Sequence, residues 1–199
     1  DVNPMFADTA NGNYHLLASS QLINAGHPDS TDSDGTRADM GAYPYLNTYS
    51  GPNWFVSNNG NDTTATGEGP SSFRSIQAAI NFASDGDAVS VSSGNFFENI
   101  NFRGRAITVS GSGGSTIDGG ANGTVVTFDS GEDSTTFLSS FTIQNGSALY
   151  GGGIHCANNS NPNLNNLIVR DNVCGSINSG GGAGVYCNDS SPTIEGVII

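Results

Sequence analysis

The chain contains 199 residues, of which 18 are acidic and 5 are basic, so its formal net charge is −13. Neutralising phosphates requires a basic face, and this charge therefore argues against nucleic acid and other polyanions as partners. The 28 glycines and the shortage of strong helix formers exclude a helical bundle, while a hydrophobic fraction of 35% is too large for disorder, which leaves turn-rich β structure.

An acidic loop is the first element with chemical character along the chain. Asp29, Asp32 and Asp34 alternate with hydroxyl side chains just before a glycine, and Asp39 follows them. Carboxylate oxygens in such an alternation are ligands that Ca²⁺ accepts, although the bidentate glutamate of an EF-hand is missing. The alternative is a solvated loop in which Asp34 or Asp39 pairs with Arg37. The sequence predicts no cofactor, and the alternative is calcium bound by these four aspartates.

One amphipathic helix is predicted over about residues 73–84. Ser72 or Ser75 is suited to cap its first turn, and the Asp-Gly-Asp at 85–87 is suited to end it. An apolar helix face of this kind can cover the open end of a stack of strands. The residues of that face follow the i, i+3, i+4, i+7 spacing: Ile76, Ala79, Ile80 and Ala83.

The C-terminal part of the chain repeats. The pattern of residues 151–156 returns at 182–187, and that of residues 167–169 returns at 197–199. Weaker copies lie upstream, each a short alternating run between Gly, Ser or Asn. Strands this short are unstable as isolated hairpins, but stacked on one another they bury a continuous apolar stripe. The repeat therefore predicts a parallel β-solenoid.

The alternation also predicts which side chains point into the core. In each copy, every second residue of the strand is apolar. We expect the following residues to form stacked inward columns: Ile107, Val109, Val126, Phe128, Ile154, Cys156, Val185 and Cys187.

Two of the three cysteines occupy equivalent positions of the repeat. Cys156 and Cys187 should have Cα atoms about 4.8 Å apart, the spacing of neighbouring strands. That separation permits a disulfide, although side chains stacked in register rarely reach the required dihedral angle. The alternative is a buried ladder of free thiols.

Several stretches resemble known surface proteins. The segments around Trp54 and Asp62, the predicted helix, and Glu98 to Ile100 resemble the start of right-handed parallel β-helix surface proteins, which share the pectate-lyase-like fold. The Phe-Thr-Ile-Gln-Asn at 141–145 and the Gly-Gly-Gly-Ile at 151–154 are similar to repeats of the polymorphic membrane proteins. The resemblance implies an all-β fold, a right-handed parallel β-helix with one short N-terminal capping helix.

Residues 1–45 resemble a different part of such proteins. Their Asn-Pro-Met-Phe, Gly-Asn-Tyr-His-Leu and Arg-Ala-Asp-Met-Gly-Ala-Tyr motifs are similar to the closing segment of β-helices of the choice-of-anchor Q type. The predicted organisation is therefore a closing segment at 1–45, a linker at 46–53, and the N-terminal part of a β-helix at 54–199.

This order of segments predicts self-association. A closing segment precedes an opening segment, and the last strand leaves an unpaired edge that invites another chain. We expect the closing segment of one unit to pack on the open end of its neighbour, as separate subunits in a filament or as tandem repeats. The alternatives are an arbitrary fragment, or a closing segment folded back on its own open end. The predicted interface comprises Asn3, Pro4, Phe6, Tyr14, Leu16, Ile23, Tyr43, Val185, Val197, Ile198 and Ile199.

Catalytic residues are not predicted. The acidic residues of the strands are singly spaced, and no Ser-His-Asp set or phosphate loop occurs. No apolar run approaches a membrane span, and the excess of Asn, Ser, Thr and Gly suits an exported surface protein. We therefore expect a non-catalytic structural or adhesive element that is extracellular, with copies of itself and surface glycans as partners. The alternative is a carbohydrate-active or carbohydrate-binding β-helix.

Overall fold

The computed structural model describes residues 3–175 and 181–199, in which most regular structure is β-strand. Within these residues the helical elements are one α-helix, α1 (Ile76–Phe82), and two 3₁₀ turns, Thr9–Asn11 and Gly69–Ser71. The strands are β1 (Phe6–Asp8), β2 (Asn13–Leu16), β3 (Asn53–Val56), β4 (Ala88–Val91), β5 (Gly94–Phe97), β6 (Ile100–Asn101), β7 (Thr108–Gly111), β8 (Ser115–Asp118), β9 (Val126–Phe128), β10 (Phe137–Ser139), β11 (Thr142–Gln144), β12 (Ser147–Ala148), β13 (Ile154–Cys156), β14 (Asn163–Asn165), β15 (Ile168–Arg170), β16 (Val173–Cys174), β17 (Val185–Cys187) and β18 (Thr193–Glu195).

The strands form three larger sheets in which all neighbours are parallel. Sheet A has the order β18-β14-β10-β7-β4-β3, sheet B the order β15-β11-β8-β5, and sheet C the order β17-β13-β9-β6. From β4 onward the chain adds one strand to sheet A, then one to sheet B, then one to sheet C, and returns to sheet A; we call each such passage a repeat. Strands β12 and β16 form a small parallel pair, and β1 and β2 an antiparallel one. The expectation of an all-β chain with one short helix is confirmed at this level.

The pairing register agrees with the internal repeat of the sequence. Cys156 lies opposite Cys187 in the β13–β17 pair, and Ile168 bridges to Ile198. Six of the eight predicted core side chains are buried, at no more than 1% exposure. The other two differ, since Val185 is half-buried and Cys187 is exposed. Both belong to β17, the outer strand of sheet C, over which no further described strand lies.

In the three later repeats, each corner between sheets A and B contains one residue in the left-handed backbone region. Ser140, Asn166 and Gly196 occupy equivalent corners with φ of 64°, 52° and 63°. The corners stack, because the amide of Ser140 donates to the carbonyl of Asn165, and the amide of Asn166 donates to that of Glu195. Asparagine and glycine tolerate this conformation better than other residues. The corner sequence thus fixes where each strand ends.

Helix α1 is shorter than the predicted 73–84. Phe73 is not helical, because its amide donates to Phe55 and its carbonyl accepts from Ser57, which ties it to strand β3. Ser75 caps the helix, and Ala83 already has extended backbone. All seven helical residues are buried. The predicted apolar face is therefore correct, but the helix is covered on its polar face too.

Residues 3–45 provide that second cover. Asn81 Nδ2 donates to the carbonyls of Ala18 and Ser20, each at 2.9 Å, and the ring of Tyr45 packs on Phe82 with centroids 5.4 Å apart. The segment therefore lies over α1 at the β3 side of sheet A. It does not lie over β18, at the other side of that sheet.

The buried column of sheet C generates a stability prediction. Val126→Asp places a carboxylate where the wild-type side chain is fully buried, and we expect the free energy of unfolding to fall by about 3–5 kcal/mol. Thr127→Asp is the matched control, because Thr127 is the neighbour of Val126 in β9 and its side chain lies on the outer face. This substitution should lower the free energy of unfolding by less than about 1 kcal/mol. Urea unfolding of both variants measures the difference, and equal losses would show that the register of β9 is wrong.

Candidate functional site

A groove of about 1250 Å³ opens beside the N-terminal end of α1. One wall comes from residues 3–45 and from the loop at 58–63, and the opposite wall comes from β5, β6 and the residues between them. The floor is the first turn of α1, with Ser75 and Gln77. The groove therefore forms only when the N-terminal segment, the helix and the first repeat pack together.

Glu98 joins the repeat wall to the helix. Its Oε1 accepts the amide hydrogen of Ile76 at 2.8 Å, and its Oε2 accepts that of Gln77 at 3.0 Å. Burial and, to a smaller extent, the charge of Asp62 raise the pKa of Glu98 to about 7. The two hydrogen bonds act in the opposite direction and lower it. The carboxyl group consequently titrates near neutral pH while both of its oxygens hold the helix.

Asp62 completes the capping of the helix from the opposite wall. Its Oδ1 accepts the amide hydrogens of Arg74 at 2.8 Å and Ser75 at 3.2 Å, and Ser75 Oγ accepts that of Ala78 at 3.3 Å. The free amides of a helix start need such acceptors. Together with Glu98, these contacts occupy every amide from residue 74 to residue 78.

Arg103 ties the N-terminal segment to the same place. Its Nη1 donates to Asn81 Oδ1 at 2.7 Å, and its Nη2 donates to the carbonyl of Gln21 at 2.5 Å. Its own backbone amide donates to Asn101 Oδ1 at 2.7 Å. The guanidinium therefore joins α1 to the N-terminal segment, while the backbone of Arg103 is held by β6.

Two side-chain amides cover strand edges inside the groove. Gln77 pairs with Asn101 of β6, donating to its carbonyl at 3.2 Å and accepting from its amide at 2.8 Å. Asn58 does the same to Asn95 of β5 at 3.1 and 3.3 Å, with its amide group turned so that both atoms are satisfied. Each side chain thus takes the place of a neighbouring strand.

Four groove residues keep their side chains available. Phe97 is 76% exposed, and Arg74, Asn95 and Asn122 are also exposed. Among residues 3–175 and 181–199, none of these four side chains makes a hydrogen bond, ion pair or ring contact with another. They are among the groove side chains that a ligand can meet, together with the exposed Gln21 and Thr63.

The candidate calcium ligands do not converge. Asp34 accepts from the amides of Thr36 and Asn47 and from the Thr36 hydroxyl, and Asp32 accepts from the amide of Asp39. Asp39 in turn accepts from residues 24 and 45, while Asp29 is exposed. In the described part of the chain no three His, Cys, Asp or Glu side chains are grouped so as to hold a metal ion. The carboxylates cross-link the loop instead.

The two paired cysteines are free thiols. Cys156 is buried and Cys187 exposed, although they are register partners. Burial raises the pKa of both thiols, which disfavours the thiolate needed for oxidation. The two thiols therefore stack in register without a disulfide, but only Cys156 is buried, so the ladder is not the fully buried one of the alternative.

The predicted assembly residues are divided between two ends of the fold. Leu16 and Ile23 are each 1% exposed, buried within this chain near α1, and so are unavailable to a second chain. Tyr14, Tyr43, Ile198 and Ile199 are exposed, and the remaining residues Asn3, Pro4, Phe6, Val185 and Val197 are exposed or half-buried. Head-to-tail contact between the two ends stays a prediction, without Leu16 and Ile23.

Sequence reasoning did not find the groove residues as a site. Asp62 and Glu98 entered it only as marks of a resemblance, and Gln77 and Arg103 were not singled out. Comparisons with family models, curated proteins and solved structures gave no match. No helix of the described residues is long and apolar enough to cross a membrane.

The position of Glu98 predicts a pH-dependent stability. Its pKa is raised from 4.5 when unfolded to about 7 when folded, so the free energy of unfolding should fall as pH rises through this interval and level off above it. The fall should reach up to about 3 kcal/mol. Glu98→Gln should flatten it, whereas the exposed control Glu68→Gln should not. Urea unfolding at both ends of this pH interval measures the change. A wild-type free energy of unfolding that does not fall across the interval would contradict the raised pKa of Glu98.

The acidic loop gives a second prediction. Asp34→Asn leaves one side-chain oxygen where two carboxylate oxygens accept from the amides of Thr36 and Asn47 and from the Thr36 hydroxyl, and should lower the free energy of unfolding by about 1–2 kcal/mol with or without chelator. Asp29→Asn, at an exposed site, should change it by less than about 0.5 kcal/mol. Thermal melts with and without EDTA test both points. A chelator-induced fall in the wild-type melting temperature would support calcium binding by this loop.

Proposed function

We propose that the chain is part of a right-handed parallel β-helix that serves as a non-catalytic structural and adhesive element of an exported surface protein. The cyclic order of strands through sheets A, B and C supports a β-helix, since a chain that returns to the same sheet in register after each repeat must wind round a common core. Handedness, export and location on the cell surface are parts of the proposal.

The observation that carries the non-catalytic function is how the less exposed carboxylates are used. Glu132 accepts from the amides of Gly104 and Ser130 and from the Ser160 hydroxyl, within 3.0 Å. Asp87 accepts from the indole of Trp54 at 2.7 Å and from the amide of residue 84. A catalytic acid or base needs an oxygen that faces the substrate. Glu132 instead joins successive repeats, and Asp87 joins β3 to the chain that enters β4.

Asp118 supports the same interpretation. Its oxygens accept from Gly120, Gln144 and Asn145, at 2.7–2.9 Å. These bonds lower its pKa, so it stays ionised and cannot serve as a proton donor near neutral pH. It lies at the end of a strand of sheet B, while Asp129 follows a strand of sheet C, which separates the two.

A carbohydrate-active β-helix is the second candidate, and one observation favours it. Glu98 has a pKa of about 7 and lies in the groove near Asp62, as a general acid beside a second carboxylate would. Against this, both oxygens of Glu98 are bonded to helix amides. Protonation of either oxygen would weaken the helix cap, which favours the structural function.

Incubation of the chain with neutral and uronic-acid polysaccharides separates the two functions. We expect reducing ends and unsaturated products to appear no faster than in buffer, with a commercial hydrolase and a lyase as positive controls. Product formation that Glu98→Gln or Asp62→Asn abolishes, while Glu68→Gln does not, would replace the structural function by the enzymatic one.

A further inference from the structure

We propose that the groove beside α1 binds a neutral oligosaccharide, with the ring of Phe97 as its stacking surface and Arg74, Asn95 and Asn122 as hydrogen-bonding partners. The inference rests on the adhesive part of the proposed function and assigns it to one site.

Phe97 presents an aromatic ring on the groove wall. It ends strand β5, in which its neighbour Phe96 is buried and packs in the core. Among the large apolar side chains of the described residues that are exposed, Phe97 has the highest exposed fraction, and its ring lies on the groove wall. An aromatic side chain offers its face to an apolar ligand surface, and the face of a pyranose ring that carries only C–H groups is such a surface.

Charge selects a neutral ligand. Arg74 and Arg103 line the groove together with Asp62 and Glu98, so its formal charges balance. The charged groups of Arg103 and Glu98 already form hydrogen bonds within the protein. They are therefore less available to bind an anion or a cation. The whole chain carries −13 charges, which repels polyanions.

The free amides suit hydroxyl groups. Asn95 and Asn122 each present a carbonyl oxygen and an NH₂, so each can accept from one hydroxyl and donate to another. Arg74 adds a planar donor that can contact two neighbouring hydroxyls. With a volume of about 1250 Å³, the groove exceeds the range of about 300–1,000 Å³ typical of small-molecule sites, which favours an oligomer over a single sugar.

A peptide fits this groove less well. Peptides commonly bind by adding a strand to an open sheet edge. Strands β5 and β6 are edge strands here, but Asn58 already pairs with the backbone of Asn95, and Gln77 with that of Asn101. The backbone of one residue in each edge strand is therefore already paired with a side chain.

Binding to immobilised hexasaccharides of glucose, mannose, xylose and galacturonic acid tests the proposal, with an extended-peptide library as a further arm. We expect a neutral hexasaccharide to bind better than the galacturonate. Phe97→Ala should weaken that binding at least about tenfold, equal to about 1.4 kcal/mol. Phe55→Ala is the matched control, an exposed phenylalanine outside the groove, and should change it less than about twofold.

Each other outcome overturns the proposal. These outcomes are no binding at millimolar hexasaccharide, preference for galacturonate, equal binding by Phe97→Ala, and binding of peptides alone. None of them concerns catalysis, so the non-catalytic function is judged separately by product formation. Binding followed by cleavage would leave the site assignment standing and remove the non-catalytic function.

Discussion

In the three parallel sheets, strands pair with the matching strand one repeat away. The architecture therefore depends on what pairs with the first strand of each sheet, which has no earlier repeat beside it. Within the sheets, each strand obtains its partner from the matching strand of the next repeat, in register. At the α1 side the partners are different for each sheet. In sheet A, β3 pairs with β4, the first strand of the repeats. In sheets B and C, the side-chain amides of Asn58 and Gln77 pair with β5 and β6. Unpaired edges invite association, and these side chains close them at the cost of few residues.

The same economy explains the acidic composition. A chain with 18 acidic and 5 basic residues has few ion pairs available, and its carboxylates find backbone amides instead. Glu98 and Asp62 accept hydrogen bonds from the first amides of α1. Glu132 joins two successive repeats, and Asp34 cross-links the acidic loop. Charge-assisted bonds to backbone amides are stronger than neutral ones. Acidity in this protein is therefore largely a structural resource.

The sequence predicted what depends on local pattern. The repeat placed Cys156 opposite Cys187, and the alternation placed Val126 inside, because both follow from the two-residue period of a strand. It did not predict the groove, since Gln77 and Glu98 become neighbours only after the helix docks on the first repeat. The acidic loop shows the converse: a spacing suited to calcium also suits aspartates that accept hydrogen bonds from nearby amides, and those bonds depend on the folded backbone.

The groove and the length of the stack are independent of each other. All the residues that line the groove lie at or before Ser130, and each later repeat pairs only with its neighbours. Insertion or loss of a repeat beyond that point would leave the groove unchanged and move it by one strand spacing relative to the far end. The number of repeats in such a protein sets the distance between the groove and the far end of the stack, and it can change without altering the residues of the groove.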